Sequence, residues 1–358
     1  MIHSFKFPAI RGVQSGREFF TVMCPLRLVS KLFTFTDEEL RPELRAQRIL
    51  NKSRIPEIRD YIVNNPKNYT FSSITASIDS EYEFEPLSSE NTNIGNLTIS
   101  MDCRFIINDG QHRRAAIEEA LKERPELGNE SISVVMFIDE GLKRSQQIFS
   151  DLNRHAIRPT NSIGILYDHR DPMSSLTREL IECIDVFNGL TEKEKSSISN
   201  RSTKLFTLSA IHNATKVLLS KKKNDDVLTR NEKEKALEFW TAVTKNMPDW
   251  KSAKQRKVNT SELREECIHA HGVALQALGE VGKDIIRRYP KDWKKYLNNL
   301  PKVDWSRSNS DLWEGAALIN GRVSKSTDSV KRTSIKIKEQ LHVPLNNEDK
   351  NYISGQLH

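Results

Sequence analysis

Apolar residues are patterned in two ways along this chain. Up to about residue 160 they come in short β-branched and aromatic runs; beyond it they recur at helical spacing. Glu18 to Pro25 (EFFTVMCP) and Leu26 to Phe35 (LRLVSKLFTF) predict two strands able to pair. Pro42 to Asn65 predicts a helix with Leu44, Ile49, Ile55, Ile58 and Ile62 on its apolar side and a kink at Pro56. Tyr69 to Ile78 predicts a strand, and the acidic stretch from Asp79 to Glu90 a loop. Leu97 to Met101 alternates and Arg104 to Ile107 runs apolar, which predicts a hairpin turning at Asp102-Cys103. Gln111 to Lys122 predicts a helix with Ala116, Ile117, Ala120 and Leu121 facing inward, and Ser133 to Ile138 a short buried strand.

After Pro159 the strand signal fades. Helices are predicted from Asp171-Pro172 to Cys183, then over Lys204–Ser220, Asn231–Lys245, Thr260–Gly279 and Lys283–Arg288, punctuated by Pro248, Pro290 and Pro301. Near the end, a helix around Trp313, Ala316, Ala317 and Leu318 precedes a turn at Asn320-Gly321-Arg322. A second helix, capped by Ser326 or Thr327, follows with Val330, Ser334, Ile337 and Leu341 facing inward and Lys331, Arg332, Lys336 and Lys338 facing out. Both a helix–turn–helix and an ordinary basic surface helix fit that pattern. The expected fold class is α+β: a mixed α/β domain over 1–160 and a mostly α-helical domain over 161–358.

Composition narrows the class. Hydrophobic residues make up 37%, charged ones 29%, and the mean hydropathy is -0.58, which fits a folded, polar chain rather than a disordered one. No apolar run approaches a membrane span, and the N-terminus has no secretory signal pattern, so a cytoplasmic protein is expected. Cys24, Cys103, Cys183 and Cys267 are isolated, without metal-ligand spacing, so no metal site is expected and each reads as an inert thiol. The net charge of +7 is uneven. Residues 1–200 carry 25 Lys+Arg against 29 Asp+Glu, and residues 201–358 carry 30 against 19. The second half is therefore basic, which points to a polyanionic partner.

One segment concentrates chemistry. The apolar strand ending at Ile107 runs through Asn108-Asp109-Gly110 straight into a helix opening with Gln111-His112-Arg113-Arg114. Gly110 permits a left-handed turn or close approach of a ligand. The helix start presents unpaired N–H groups to an anion. Arginines at that positive end are locally unfavourable unless an anion sits there. The alternative is an Asp109 helix cap with solvated arginines. A second cluster, Asn153, Arg154 and Arg158, is either a cover for the same phosphate or a helix end. His169-Arg170-Asp171 lacks an accompanying nucleophile and reads as a helix start. His269 and His271 lack metal-pair spacing, and no P-loop pattern is present.

Asp109-Gly110-Gln111-His112-Arg113, with Arg114-Ala115-Ala116 after it and Phe149-Ser150-Asp151-Leu152-Asn153-Arg154 some 40 residues on, resembles the DGQHR-domain proteins of the DNA sulfur modification DndB family. The chain's length and helical second half suit it. More distantly the motif is similar to the ParB/sulfiredoxin superfamily, where a Gly-x-x-Arg turn at a helix start binds nucleotide or phosphate. The resemblance implies a ParB-like first domain. It also implies a DNA-binding transcriptional regulator of the phosphorothioate (dnd) modification operon, modulated by nucleotide. Its partners would be double-stranded DNA of the operon promoter and the other Dnd modification proteins, with a homo-oligomer as a further expectation. It implies ATP, with a divalent cation, as cofactor at Asp109, Gly110, Gln111, His112 and Arg113, with Asn153 and Arg154 as secondary ligands. Asp109, His112 and Arg113 would be catalytic if the motif is a weak ATPase. Two alternatives stay open: an ATP-hydrolysing or DNA-nicking enzyme, and a protein partner that restrains the modification complex. For DNA contact the basic clusters give Lys251, Lys254, Arg256 and Lys257, then Arg287 and Arg288, then Lys331, Arg332 and Lys336.

Overall fold

Strand-forming residues of the first unit assemble into one seven-stranded sheet. The computed structural model describes residues 4–33, 50–79, 81–138, 147–148, 150–152, 159–221 and 227–354. It divides into units 1–157 and 158–358. Unit 1 contains β1 (Ser4–Gln14), β2 (Arg17–Pro25), α1 (Leu26–Leu32), α2 (Ile55–Asn64), β3 (Ile74–Asp79), β4 (Tyr82–Pro86), β5 (Ile94–Ser100), β6 (Arg104–Asp109), α3 (Gln111–Glu123) and β7 (Ser131–Ile138). The strand order is β4-β5-β1-β2-β7-β3-β6, antiparallel except between β3 and β7. An α+β class is thereby shown.

Several expectations need correction. The run after Pro25 is helix, because Leu26, Val29 and Leu32 are its buried residues and recur every three positions. Pro56 does not kink a helix but sits in the first turn of α2, where its missing N–H is harmless; the expected residues 42–49 lie outside the described ones. The acidic stretch contains β4, whose exposed Glu83 and Glu85 suit an edge strand. The β5–β6 hairpin does not form. β5 is already paired with β1 and β4, and β6 pairs with β3 at the far edge.

That placement forces the sheet to coil. Five strand spacings separate β5 from β6, about 24 Å if flat. The linker Met101–Cys103 can span only about 15 Å. Ring contacts confirm the curl: Phe20 on β2 lies 5.3 Å from both Tyr82 and Phe84 of β4, three strands away. The core holds Phe20, Val22, Ile74, Ala76, Ile78, Leu97, Ile99, Val134 and Met136, with Ile62, Ala116, Ile117 and Ala120 of α2 and α3 packed against them.

Unit 2 is helical: α4 (Asn161–Tyr167), α5 (Pro172–Cys183), α6 (Leu208–Leu218), α7 (Arg230–Lys245), α8 (Pro248–Lys254), α9 (Thr260–Glu266), α10 (Gly272–Arg288), α11 (Trp293–Leu297), α12 (Thr327–Gln340) and α13 (Asn347–Ser354). Asp171 caps α5 by accepting from the N–H groups of Met173 and Ser174, as its Asp-Pro start predicts. The expected Thr260–Gly279 helix is broken around Ile268–Ala270, and α10 absorbs the expected Lys283–Arg288 helix. Helices α6 and α10 cross closely because Gly279 leaves room: a Cβ there would lie 2.4 Å from the Ala214 carbonyl oxygen. Trp240, Trp250 and Trp313 fill the core. A helix–turn–helix is not what precedes α12. Only a single turn, Ser310–Trp313, is followed by a two-residue-strand hairpin, Leu318–Ile319 with Arg322–Val323. The inner face of α12 is as patterned, but Lys338 is 2% exposed rather than outward-facing. Its ammonium lies between Asp284 (3.0 Å) and Asp349 (2.6 Å), the two carboxylates that make its burial tolerable.

Candidate functional site

β6 ends at Asp109, and Gly110 turns the chain into α3 with φ 104° and ψ 9°. Only glycine is at ease there. A Cβ would meet Ile74 Cγ1 at 3.0 Å and Arg113 Nη2 at 3.2 Å. Gly110 has no side chain to cap the helix, no acidic residue occupies the first turn, and the first intrahelical bond runs from the Arg114 N–H to the Gly110 carbonyl at 2.9 Å. The N–H groups of the first turn therefore have no intrahelical partner and no side-chain cap, the arrangement that favours an anion at a helix start.

The side chains around that start divide their work. Arg113 folds back one turn onto the Asp109 carboxylate and also donates to the Ser72 carbonyl at 2.7 Å and to the Ser72 hydroxyl. Most of its guanidinium is thus spent inside the protein, bracing the turn. His112 accepts the Asn51 N–H at Nε2, 3.1 Å away, so this nitrogen carries a lone pair and no proton. Gln111 is 8% exposed, and its Oε1 has no hydrogen-bond partner among the described residues. A buried acceptor left unpaired costs about 1–3 kcal/mol, which makes it a feature in need of a partner. Nearby, Ser77 donates to Asn108 Oδ1 at 3.0 Å, both buried. Asn153, Arg154 and Arg158 lie outside the described residues. No group of three or more His, Cys, Asp or Glu able to hold a metal occurs among the described residues.

In unit 2 the predicted cations separate into two kinds. Arg287 and Arg288 face Asp284 at 3.7 and 2.7 Å, and Arg288 also donates to the Pro344 carbonyl. Lys331 pairs with Asp349 at 2.7 Å, Arg332 with Asp328 at 2.8 Å and Lys336 with Glu339 at 3.8 Å. Each of these five positive charges already has a carboxylate. Trp293, close to Arg287 and Arg288 in the sequence, is core rather than a surface on which bases could stack.

Lys251, Arg256 and Lys257 are different, with Lys254 between the two kinds. A groove of about 710 Å³ runs along Lys254, Arg256, Lys257, Asn259, Thr260 and Thr203, with no acidic residue in its lining. Lys254 donates to the Asn188 carbonyl and sits 3.7 Å from Asp185. Among the described residues the side chains of Arg256, Lys257 and Lys251 have no hydrogen-bond or ion-pair partner, and all three are exposed. The wall at Thr203 is held by Arg264, which donates to the carbonyls of Ser199, Asn200 and Ser202, each at 3.1 Å, and of Lys204.

The family model described as DndB, DNA-sulfur modification-associated, matches residues 7–344. The chain belongs to the DndB family. Neither a curated protein nor a solved structure matches it. For a DndB-family chain the match places both units in the context of DNA sulfur modification, and it spans the Gly110 turn and the basic groove alike. Ser72, Asn51 and Arg264 escape sequence reasoning. They act through backbone groups or across the sheet, and nothing in their local pattern marks them. Among the described residues no helix is long and apolar enough to cross a membrane.

Proposed function

We propose that this protein is a DNA-binding regulator of phosphorothioate modification that holds duplex DNA in the 251–260 groove and takes a nucleotide phosphate at the Gly110 turn. The groove is the observation that carries the reading. It gathers Lys254, Arg256 and Lys257 around about 710 Å³ with no carboxylate in the lining, beside the exposed Lys251; Lys254 alone of the four pairs with a carboxylate, Asp185. Lysines and arginines that neutralise phosphates release the cations condensed on DNA, which drives binding and makes it salt-dependent. Promoter DNA of the modification operon and the other Dnd proteins are the partners this assigns.

At the Gly110 turn the residues fit a phosphate. An uncapped 13-residue helix start turns its N–H groups towards an anion, while Gln111 Oε1, an acceptor without a partner among the described residues, suits a donor or cation beside the phosphate rather than the phosphate itself. When bound there, ATP with its cation would supply phosphate charge that the helix start stabilises. The geometry favours holding that phosphate over hydrolysing it. The Asp109 carboxylate is spent on Arg113 and the His112 Nε2 lone pair on Asn51. Neither is poised as a base.

A gel-shift titration of its own upstream DNA against random DNA, at several salt concentrations and with or without ATP, tests the reading. Upstream DNA should bind more tightly, and Lys257→Ala should reduce the salt slope by about 1. Equal affinity for random DNA would overturn the regulator. Co-purification with the modification proteins that survives nuclease, without any gel shift, would replace it with a protein-restraint role.

A further inference from the structure

A second cavity in unit 2, about 360 Å³, is bordered by Ser196, Ser197, Arg264, His271, Arg307 and Lys325. Its charge is unbalanced in an unusual way. Arg307 is held by two neutral carbonyls, Glu265 at 3.0 Å and Gly321 at 3.2 Å. Arg264 is likewise held only by carbonyls. Lys325 is exposed and has no side-chain partner among the described residues. The lining includes one carboxylate, Glu265, which is exposed and makes no ion pair among the described residues. Three cations therefore line one cavity against a single exposed carboxylate that acts on Arg264, which leaves the lining net positive and suited to an anion.

Two further observations point the same way. The 17-residue helix α10 begins at the cavity wall with His271 and Gly272, and no side chain caps its first N–H groups. His271 donates from Nε2 to the Arg264 carbonyl at 2.8 Å. Burial, with Arg307 and Lys325 nearby, pushes its pKa down to about 4. The positive field thus reaches the cavity interior, and the ring itself stays neutral. Leu205, Phe206, Ala210 and Ala270 also line the cavity and give it an apolar part. A volume of this size exceeds a bare phosphate and suits a small ligand with both a charged and an apolar part.

We propose that this cavity is a binding site for a phosphomonoester dianion of mononucleotide size, held by Arg307, Lys325 and the start of α10. The assignment is independent of the nucleotide at the Gly110 turn, which lies in the other unit. The ligand's phosphate has three sources: free phosphate, a mononucleotide, or the 5′-phosphate of a DNA end.

Isothermal titration calorimetry of the full chain separates them, using inorganic phosphate, adenosine monophosphate, a 5′-phosphorylated dinucleotide and adenosine. Phosphate-bearing probes should bind and adenosine should not, and the tightest of the three names the source. Lys325→Ala and Arg307→Lys should each weaken that binding by about tenfold, the cost of one charge-assisted contact. Because Lys325 is exposed and unpartnered, its truncation should leave the melting temperature unchanged, so the loss reads as ligand contact. Absence of binding by every phosphate probe at millimolar concentration, equal binding of adenosine and its monophosphate, or unchanged affinity in both variants would each overturn the site.

Discussion

Arg113 reaches back one helical turn to the Asp109 carboxylate, closing a clasp across Gly110. The clasp explains why the turn tolerates an arginine at the positive end of a helix. Its charge is matched by a carboxylate from the preceding strand, which leaves the backbone N–H groups as the anion donors. The motif is therefore a braced backbone cradle more than a set of reaching side chains.

That cradle predicts a steep cost at Gly110. Gly110→Ala must adopt φ near 104° and place its Cβ 3.0 Å from Ile74 and 3.2 Å from Arg113. A loss of about 2 kcal/mol or more in urea-unfolding stability is expected. A change under about 0.5 kcal/mol would mean the turn relaxes freely.

Arg256 should trade stability for DNA affinity. It occupies the left-handed position just after α8, with φ 59°. Its N–H bonds the Ala253 carbonyl at 3.0 Å, and the Lys257 N–H bonds the Ser252 carbonyl at 2.8 Å, the pairing that ends helices on glycine. An arginine there pays about 1 kcal/mol in backbone strain. Arg256→Gly should raise the unfolding free energy by about that amount and weaken DNA binding in the gel shift. A variant that gains stability and keeps full affinity would remove Arg256 from the DNA surface.

Much of this was legible in the residues. The periodicity of α5, α7 and α12, the Asp171 cap and the Ser326 cap were all local, and local signals survive folding. Asp109-Gly110 announced its turn for the same reason. What the residues hid was non-local. Nothing in Leu97–Ile107 says that β5 and β6 part to positions five strands apart in a coiled sheet. Nothing around Lys338 says that Asp284 and Asp349 come from other helices to bury it. Basic residues look alike in sequence whether or not a distant carboxylate neutralises them, so six of the nine DNA candidates turned out to be paired.

The buried Lys338 gives a stability test. Asp349 and Asp284 are 0% and 5% exposed, and Arg288 and Lys331 only partly offset them. Lys338→Met leaves two buried carboxylates short of a partner and should cost about 3 kcal/mol in urea unfolding. Arg332→Met, whose partner Asp328 is half-exposed, should cost well under 1 kcal/mol. Similar losses for both would mean the Lys338 cluster is not a keystone of α10, α12 and α13.

Acid sensitivity should begin well above the carboxylate range, and two buried histidines, His212 and His271, are the reason; His212 gives the cleaner test. Its Nδ1 lies 3.0 Å from the Thr177 hydroxyl, which itself donates to the Met173 carbonyl at 2.7 Å. The ring must therefore donate from Nδ1, and burial pushes its pKa down to about 4. An unfolded histidine titrates near 6.5, so below that pH the unfolded chain takes up a proton that the folded chain refuses. The stabilisation is complete above about pH 6.5 and drains away as pH falls towards 4. By pH 5 the loss from His212 is about 2 kcal/mol. The carboxylates of Asp171, Asp284 and Asp349 are held below their ordinary range, so they act only at lower pH. His212→Asn keeps a donor towards Thr177 without a titrating ring. Its unfolding free energy should fall less between pH 7 and pH 5 than that of the wild type, and parallel curves would assign the acid response to other groups.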